Sequence, residues 1–587
     1  MLIDLKNLAI SEFKYTPTKE NVGNFVVDPL IGTTFLALKR FNETKDNILI
    51  YCPNNFEVNE IFNSLTTFIK SENIITIPSD ELLRVEYLSE SKELLSQQIY
   101  GLYSLLFAKH KIIIFSPSSL YKFYPSKERF SSSCLKLKVG ETYDFDLLKK
   151  KLAEIGYLRV QKIDQSLQFS IRGDIVDVFS LNYDNPIRIE FFDNEIESIR
   201  FFSIGTQTSF EEIKEALILP ANLILFSEEE KQEGIKKIED ELNKEENEFS
   251  YETYNELKSQ TEEDIQDILN NNITTKIYKY FGFISNSKSN ILEYLTNDYE
   301  IIVDNEDQFY TAKSNLFNEG LEFLNELHKT GKTISKLTYF NEKANVFYNF
   351  KNEFNLNTFY THANSINVDL STNLSINGKD IDIGRLFEMY LKNGYKILCL
   401  LENKEQVNKI KSSLDILKYS YSLSKEFLID ESKDVTLSIN SFPKGFEFKT
   451  KKIVVLTSKE LFGYRRHVST YTSKFKEGII LGSYQDLEPG DYVVHEKYGI
   501  GKFVQITTLE LNGKHSDYIQ IQYGGTDVLY LPLYQFNMIR KYIGKDGYTP
   551  KLNKLYSNKW EATKKKIKER INDLAERLME LYSERAK

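Results

Sequence analysis

The sequence predicts a multidomain protein of mixed α/β and α+β class that carries a small antiparallel β barrel and a long C-terminal helix. Three observations carry that expectation. A length of 587 residues divides into about four domains at roughly 150 residues apiece. Up to residue 325, short apolar runs alternate with amphipathic helical patterns, which is how the strands of a covered sheet and their crossover helices read. From Glu488 to Ile543 the spacing changes, and apolar runs are cut by Gly499 and Gly501, by Asn512-Gly513 and by Gly524-Gly525. Asn-Gly and Gly-Gly supply the positive φ of tight hairpin turns. About fifty such residues hold four or five short strands, enough for a small twisted barrel.

Composition narrows the class further. Asp and Glu number 85 against 75 Lys and Arg, so net charge gives no drive toward nonspecific nucleic-acid binding. The three cysteines, Cys52, Cys134 and Cys399, are far apart without metal-ligand spacing, and no metal site is expected; they suit a reducing cytosol. No basic segment precedes an apolar run at Met1-Leu2-Ile3-Asp4, and no apolar stretch reaches the ~18 residues of a membrane span. A soluble cytoplasmic protein with no membrane partner is expected.

In chain order, Asn47–Cys52 and Lys111–Phe115 read as buried parallel strands, with helices around Val58–Phe68 and Leu94–Phe107. A nucleotide-binding core would place its phosphate loop early, at Asp28-Pro29-Leu30-Ile31-Gly32-Thr33-Thr34-Phe35. Gly32, Thr33 and Thr34 stand there without the lysine and the G-x-x-x-x-G-K-[ST] spacing that cradle phosphates. No ATP is expected at this loop. Gly331-Lys332-Thr333 follows a helical pattern, and position 326 is Glu where a first glycine is needed. Asp80-Glu81 after Pro78 and Asp240-Glu241 in a charged helix read as solvated surface. A helix Asp146–Ile155 precedes two strand-like runs, Phe169–Phe179 and Ile187–Arg200, which make a small α+β insert. The two alternatives for Arg172 and Arg188 are pairing with Asp174, Asp177 and Asp193 across strands, which the residues alone favour, and a patch with Phe192 on one small sheet suited to an acidic partner. Ile218–Ala221, acidic helices from about Glu228 to Asn270, then Ile277–Phe281 and Ile301–Val303 complete the unit.

After a polar break at Lys329–Lys332, a smaller α/β domain is expected, with strands Val346–Phe350, Lys396–Leu401 and Ile453–Leu456. His328, His362, His467 and His495 are scattered. In the barrel stretch, alternation from Phe503 puts Gln505, Thr507 and Leu509 on one face, and a leucine on the more polar face is an anchor candidate; the alternative packs Leu509 under the Asn512-Gly513 turn. Asn558 with Glu561 then makes a capping-box-like start. Trp560, Ile567, Ile571, Leu574, Leu578 and Leu581 continue as one amphipathic helix whose Lys564-Lys565-Lys566 run reads as a solvated face.

Two ordered stretches resemble known families. Pro489-Gly490-Asp491-Tyr492-Val493-Val494-His495-Glu496-Lys497-Tyr498-Gly499-Ile500-Gly501-Lys502-Phe503 and its continuation to Leu533 resemble the RNA-polymerase-interacting domain of the transcription-repair coupling factors (the Mfd family), shared with the CarD regulators. Ser170-Ile171-Arg172-Gly173-Asp174-Ile175-Val176-Asp177-Val178-Phe179 and the run from Ile187 to Ser209 resemble the second domain shared by UvrB and the coupling factors. The resemblance implies a degenerate P-loop, RecA-like UvrB-type core at 1–125 and 206–325, and a UvrA-binding insert at 126–205. It further implies a small α/β domain of unknown role at 326–475, an SH3-like polymerase-binding barrel at 484–546, and a relay-type helix at 552–587. Arg172, Arg188 and Phe192 match the UvrA-contacting positions. Leu509, with Thr507 and Glu510 beside it, matches the contact with the RNA polymerase β subunit, made by strand addition.

UvrB carries an arginine where Ser170 stands, a working phosphate loop, and a DNA-gripping hairpin for which Pro78–Gln98 is too short. The coupling factors are therefore the better match. The chain looks like the front part of a longer protein, an ATP-driven double-stranded DNA translocase whose ATP, magnesium and most DNA contacts belong to motor domains missing here. No catalytic residue is expected in this part. The alternatives are a CarD-like polymerase-binding regulator, a UvrB-like excision repair protein, or a nuclease or ATPase in its own right.

Overall fold

A computed structural model gives the architecture. It describes Leu2 to Phe462 apart from residues 16–20, 80–91, 296–297, 338, 342–349 and 373–382, and beyond that residues 487, 489–495, 498–511, 514–525, 527–532, 539–541 and 552. The first sheet has seven parallel strands in the order Ile366–Asn367, Val22–Val26, Phe350–Asn357, Tyr299–Val303, Asn47–Tyr51, Ile112–Phe115 and Ile74–Ile77. Successive side chains of a strand point to opposite faces. Leu49, Tyr51, Ile113, Phe115, Ile301 and Val303 thus enter one core, while Ile48, Ile50, Ile112, Ile114 and Ile302 enter the other. Burial on both faces is why these strands read as unbroken apolar runs. The intervening helices are Asn55–Thr66 and Lys92–Leu106.

Two apolar runs of the sequence call for comment. Ile277–Phe281 is helical, a 3₁₀ turn Thr275–Ile277 followed by an α-helix Tyr278–Ile284. A short wholly apolar run has no period to tell strand from buried helix, and this one is enclosed on every side. It even buries Lys279, whose Nζ lies 2.8 Å from Asp264 Oδ2, beside the hydroxyl of Tyr280 at 3.0 Å. Of the run Val346–Phe350 only Phe350 is described, and the strand it opens, Phe350–Asn357, joins the first sheet. Asp80-Glu81, the Asn512-Gly513 turn, and the helix expected from Asn558 through Lys564-Lys565-Lys566 to Leu581 lie outside the described residues.

The second sheet runs Tyr421–Ser424, Val435–Ile439, Lys396–Leu401, Ile453–Thr457 and Phe446–Phe448, the last strand antiparallel. The two sheets share a core. Phe35 and Phe68 from the first unit meet Phe427, Phe442 and Phe446 from the second at centroid distances of 4.8–6.4 Å. Leu2–Asp4 pairs antiparallel with Leu428–Asp430 and ties the chain start to the same unit. The strands beyond residue 490 form a five-stranded antiparallel sheet, in the order Val528–Pro532, Lys514–Gln522, Gly499–Leu511, Tyr492–His495 and Ile539–Lys541. Among the described residues, no helix is long and apolar enough to cross a membrane.

The loop after Val22–Val26 lies where a parallel sheet places its ligands. Gly32 has a packing reason to be there: a Cβ would stand 2.4 Å from Val27 Cγ1 and 2.8 Å from Leu356 Cδ2. Thr33 Oγ1 donates to Asp304 Oδ1 at 2.6 Å, both groups fully buried, and Thr34 Oγ1 turns back to Leu30 O at 2.8 Å. Asp304 follows the apolar strand Tyr299–Val303 directly, a signal the sequence reading passed over. Burial pushes its carboxyl up to about 8, with Asp28 and Glu57 adding repulsion against Thr33's hydrogen bond. Asp28 precedes the helix Pro29–Glu43, accepts a hydrogen bond from Thr372 Oγ1 and faces Lys444 Nζ at 3.8 Å.

An acid whose folded pKa exceeds its unfolded value holds its proton more tightly when folded. Its contribution is complete below the ordinary value of 3.8 and is lost as pH rises toward 8. Asp304→Asn should therefore flatten the fall in stability across this window, by on the order of several kcal/mol at its upper end, read as urea midpoints from pH 4 to 8. Gly32→Ala should lower stability by about 1–3 kcal/mol through overpacking, read the same way at one pH.

Candidate docking surfaces

The insert's sheet has six strands in the order Ser209–Ile213, Glu195–Phe202, Ile187–Phe192, Ile175–Val178, Gln168–Arg172 and Leu158–Arg159. One face is apolar. Phe169, Val176, Val178, Ile187, Ile189, Ile196 and Ile199 join the main core with Leu148 and Leu152 of the helix Phe145–Glu154. The register lays a polar row across the other face, Ser170, Asp177, Arg188, Arg200 and Glu212, each opposite the next.

Arg188 is committed within this row. Its Nε and Nη2 donate to the two carboxylate oxygens of Asp177 at 2.8 and 2.9 Å, and Nη1 donates to Gln207 O at 3.3 Å. Its guanidinium carbon lies 4.6 Å from the Phe202 ring centre, over a small satellite cluster of Ile163, Phe179 and Phe202. Asp177 is 1% exposed and the Arg188 side chain 16%. A bidentate pair this enclosed is expensive to break, because its survivor would be a buried unpaired charge. The pairing expected as an alternative, arginine with Asp177, is thus found for Arg188.

Arg172 and Phe192 sit differently. Two-residue turns, Gly173-Asp174 and Asp193-Asn194, close the hairpins that they end, with Arg172 opposite Ile175 and Phe192 opposite Glu195. Gly173 and Asp193 take φ of +58° and +54°, as such turns require. Because Ile175 also faces Glu190, both turns fall at the same end of the sheet. Alternation along Ile187–Phe192 sends Phe191 into the core with Ile187 and Ile189, and Phe192 is left 73% exposed. Arg172 is exposed, with one hydrogen bond to Gln161 O at 3.3 Å. The sheet therefore brings Arg172 and Phe192 to one accessible corner and keeps Arg188 two residues inward. Sequence reasoning missed Leu158 and Phe210, 57% and 58% exposed on this sheet's outer strands, which had no distinguishing signal.

The second surface is the long hairpin Gly499–Leu511 and Lys514–Gln522. Gly501 lets it cross its neighbour, since a Cβ would lie 2.5 Å from Ile521 Cγ2. Phe503, Ile519, Ile521, Tyr523 and Leu531 fill the small core. A bulge at Val504 resets the alternation, so that Ile506 opposes the buried Ile519, and Gln505 instead faces outward, its amide hydrogen-bonded to Gln520 at 3.0 Å. Thr507, half-buried, opposes Tyr518. Leu509 and Glu510 are placed in the ladder opposite Ser516 and His515, and their side chains lie outside the described residues. Of the long strand Gly499–Leu511, Tyr492–His495 covers only Gly499–Lys502. Among the described residues, the outer edge of Gln505–Leu511 consequently has no partner strand.

Among the described residues, His328 is the histidine that lies within reach of two carboxylates at once. Its Nε2 and one oxygen each of Glu245 and Glu248 lie within 4.8 Å of one another. The buried Glu245 is already satisfied, by the amide of Ser335 at 2.8 Å and by His328 at 3.3 Å.

Residues 135–223 match the UvrB interaction domain family, and residues 487–543 match the CarD-like/TRCF RID domain family. The chain is 29% identical over 557 residues to the transcription-repair-coupling factor of Bacillus subtilis (strain 168), covering 93% of this chain and 47% of that protein. It is 28% identical over 580 residues to the one from Staphylococcus aureus (strain bovine RF122 / ET3-1), covering 95% and 48%. The chain spans about half the length of these curated relatives. The two surfaces built above fall within the two matched stretches, and the chain is similar to the transcription-repair-coupling factors over 93–95% of its length.

Proposed function

We propose that this chain is an adaptor that docks on the β subunit of RNA polymerase stalled at a lesion and recruits UvrA to begin nucleotide excision repair. The observation that carries the reading is that, among the described residues, no strand pairs with the outer edge of Gln505–Leu511. A run of main-chain donors and acceptors without a partner strand is what strand addition uses, with alternate side chains giving specificity. Leu509 is the anchor in this reading, with Thr507 and Glu510 flanking it, and the surrounding strands close as an SH3-like barrel. Arg172 and Phe192 make the direct UvrA contacts, a cation and an aromatic at the corner of a rigid sheet. Arg188 serves the same surface by fixing the strands behind it. The loop at Gly32, Thr33 and Thr34 is a degenerate phosphate loop in this account. ATP turnover, magnesium and the double-stranded DNA track belong to a translocase motor outside these residues, in a bacterial cytoplasm.

A CarD-like regulator is the second reading. The match at residues 135–223 favours the adaptor, and UvrA binding separates the two.

Leu509→Arg should abolish binding to a β-subunit fragment in a titration, while the unfolding midpoint stays put. Unchanged affinity would move the interface elsewhere. Arg172→Ala and Phe192→Ala should each weaken UvrA binding by about tenfold or more, in keeping with a hot-spot loss above ~1 kcal/mol, with no change in melting temperature. Arg188→Ala should instead lower the melting temperature, at a cost of roughly 3–5 kcal/mol for an orphaned buried charge. UvrA retained equally by the Arg172 and Phe192 variants would end this assignment.

A further inference from the structure

A third surface lies at the C-terminal end of the strand Phe350–Asn357, on the side of the parallel sheet where ligands gather. The loop that follows is pinned at its base. Asn357 Nδ2 donates to Glu306 Oε2 and to Thr361 Oγ1, each at 2.8 Å, and His362 Nε2 lies 2.7 Å from the same Glu306 oxygen. Ser365 Oγ holds His362 O at 2.7 Å, and Asn24 Nδ2 reaches Asn364 Oδ1 at 2.9 Å. Between these ties stand Phe359 and Tyr360, 77% and 69% exposed. Single exposed apolar residues are ordinary, but two adjacent large aromatics on a fixed loop form a pre-organised anchor of the kind that dominates protein interfaces.

The charge around them is negative. Glu306 and the exposed Asp307 open the helix Glu306–Lys329 beneath the loop. Among the described residues no Lys or Arg pairs with either, and His362 is the one basic group in contact. A nucleic acid would need a basic groove beside the rings, and here the rings border carboxylates. Arginine fits both features: its planar guanidinium stacks on an aromatic face and donates two parallel hydrogen bonds to a carboxylate.

We propose that the Asn357–His362 loop is a docking site for an arginine-bearing segment of a partner protein, with the guanidinium over Phe359 or Tyr360 and turned toward Glu306 and Asp307. The probe is a fluorescein-labelled peptide, Gly-Arg-Gly-Gly-Arg-Gly, titrated by anisotropy against the whole chain, with its Glu-for-Arg counterpart as comparison. The Arg peptide is expected to bind and the Glu peptide not to. Phe359→Ala with Tyr360→Ala, and separately Asp307→Lys, should weaken binding at least tenfold. Tyr251→Ala, which removes an aromatic 83% exposed on another helix, should leave it unchanged. No binding of the Arg peptide up to about 1 mM, equal binding of the Glu peptide, or an unaltered affinity in the loop variants would overturn the proposal.

Discussion

Nine consecutive residues of one helix, Leu30 to Leu38, are buried, which leaves this stretch no solvent face. A helix apolar on all sides needs protein on all sides, and the two parallel sheets supply it, one through Val27 and Leu356, the other through Phe442 and Phe446. Everything nearby is arranged around that demand. Gly32 admits a strand, Thr33 spends its hydroxyl on a neutral acid, and Asp28 meets Thr372 and Lys444 from the second unit. Close packing of this order leaves little room for independent movement of the two units.

The two surfaces in the matched domains rely on different physics. The insert offers side chains, a guanidinium and a ring raised on tight turns above a sheet stiffened by the Arg188–Asp177 pair. The hairpin offers main chain, an edge whose donors and acceptors suit any extended strand. The first is open to charge screening by salt, while main-chain pairing is far less so.

Much of this was legible in the sequence. Buried strands announce themselves as apolar runs, and the long hairpin by its Asn-Gly pair, because both signals are local, whereas Gly173-Asp174 and Asp193-Asn194 each divide a stretch that reads as one run. What was not legible depended on partners far along the chain. Ile277–Phe281 carries the composition of a strand and becomes a helix because neighbours enclose it. Phe350–Asn357 belongs to the first sheet because Val22–Val26 and Tyr299–Val303 flank it. Whether Arg188 faces a partner or Asp177 depends on cross-strand register and on Gln207, neither visible from spacing. Val504 shifts the phase of its strand by one residue, which simple alternation cannot foresee.

The pairing of Leu2–Asp4 with Leu428–Asp430, and of Val22–Val26 with Phe350–Asn357, also bears on how the chain is born. On a ribosome adding about 5–20 residues per second, the first strands to emerge wait on the order of 20–90 s for their mates. Throughout that delay unpaired edges and the apolar helix between them are bare, a standing invitation to aggregation. Such a nascent chain would lean on a holding chaperone, and slowing translation before residue 430 would lengthen its dependence.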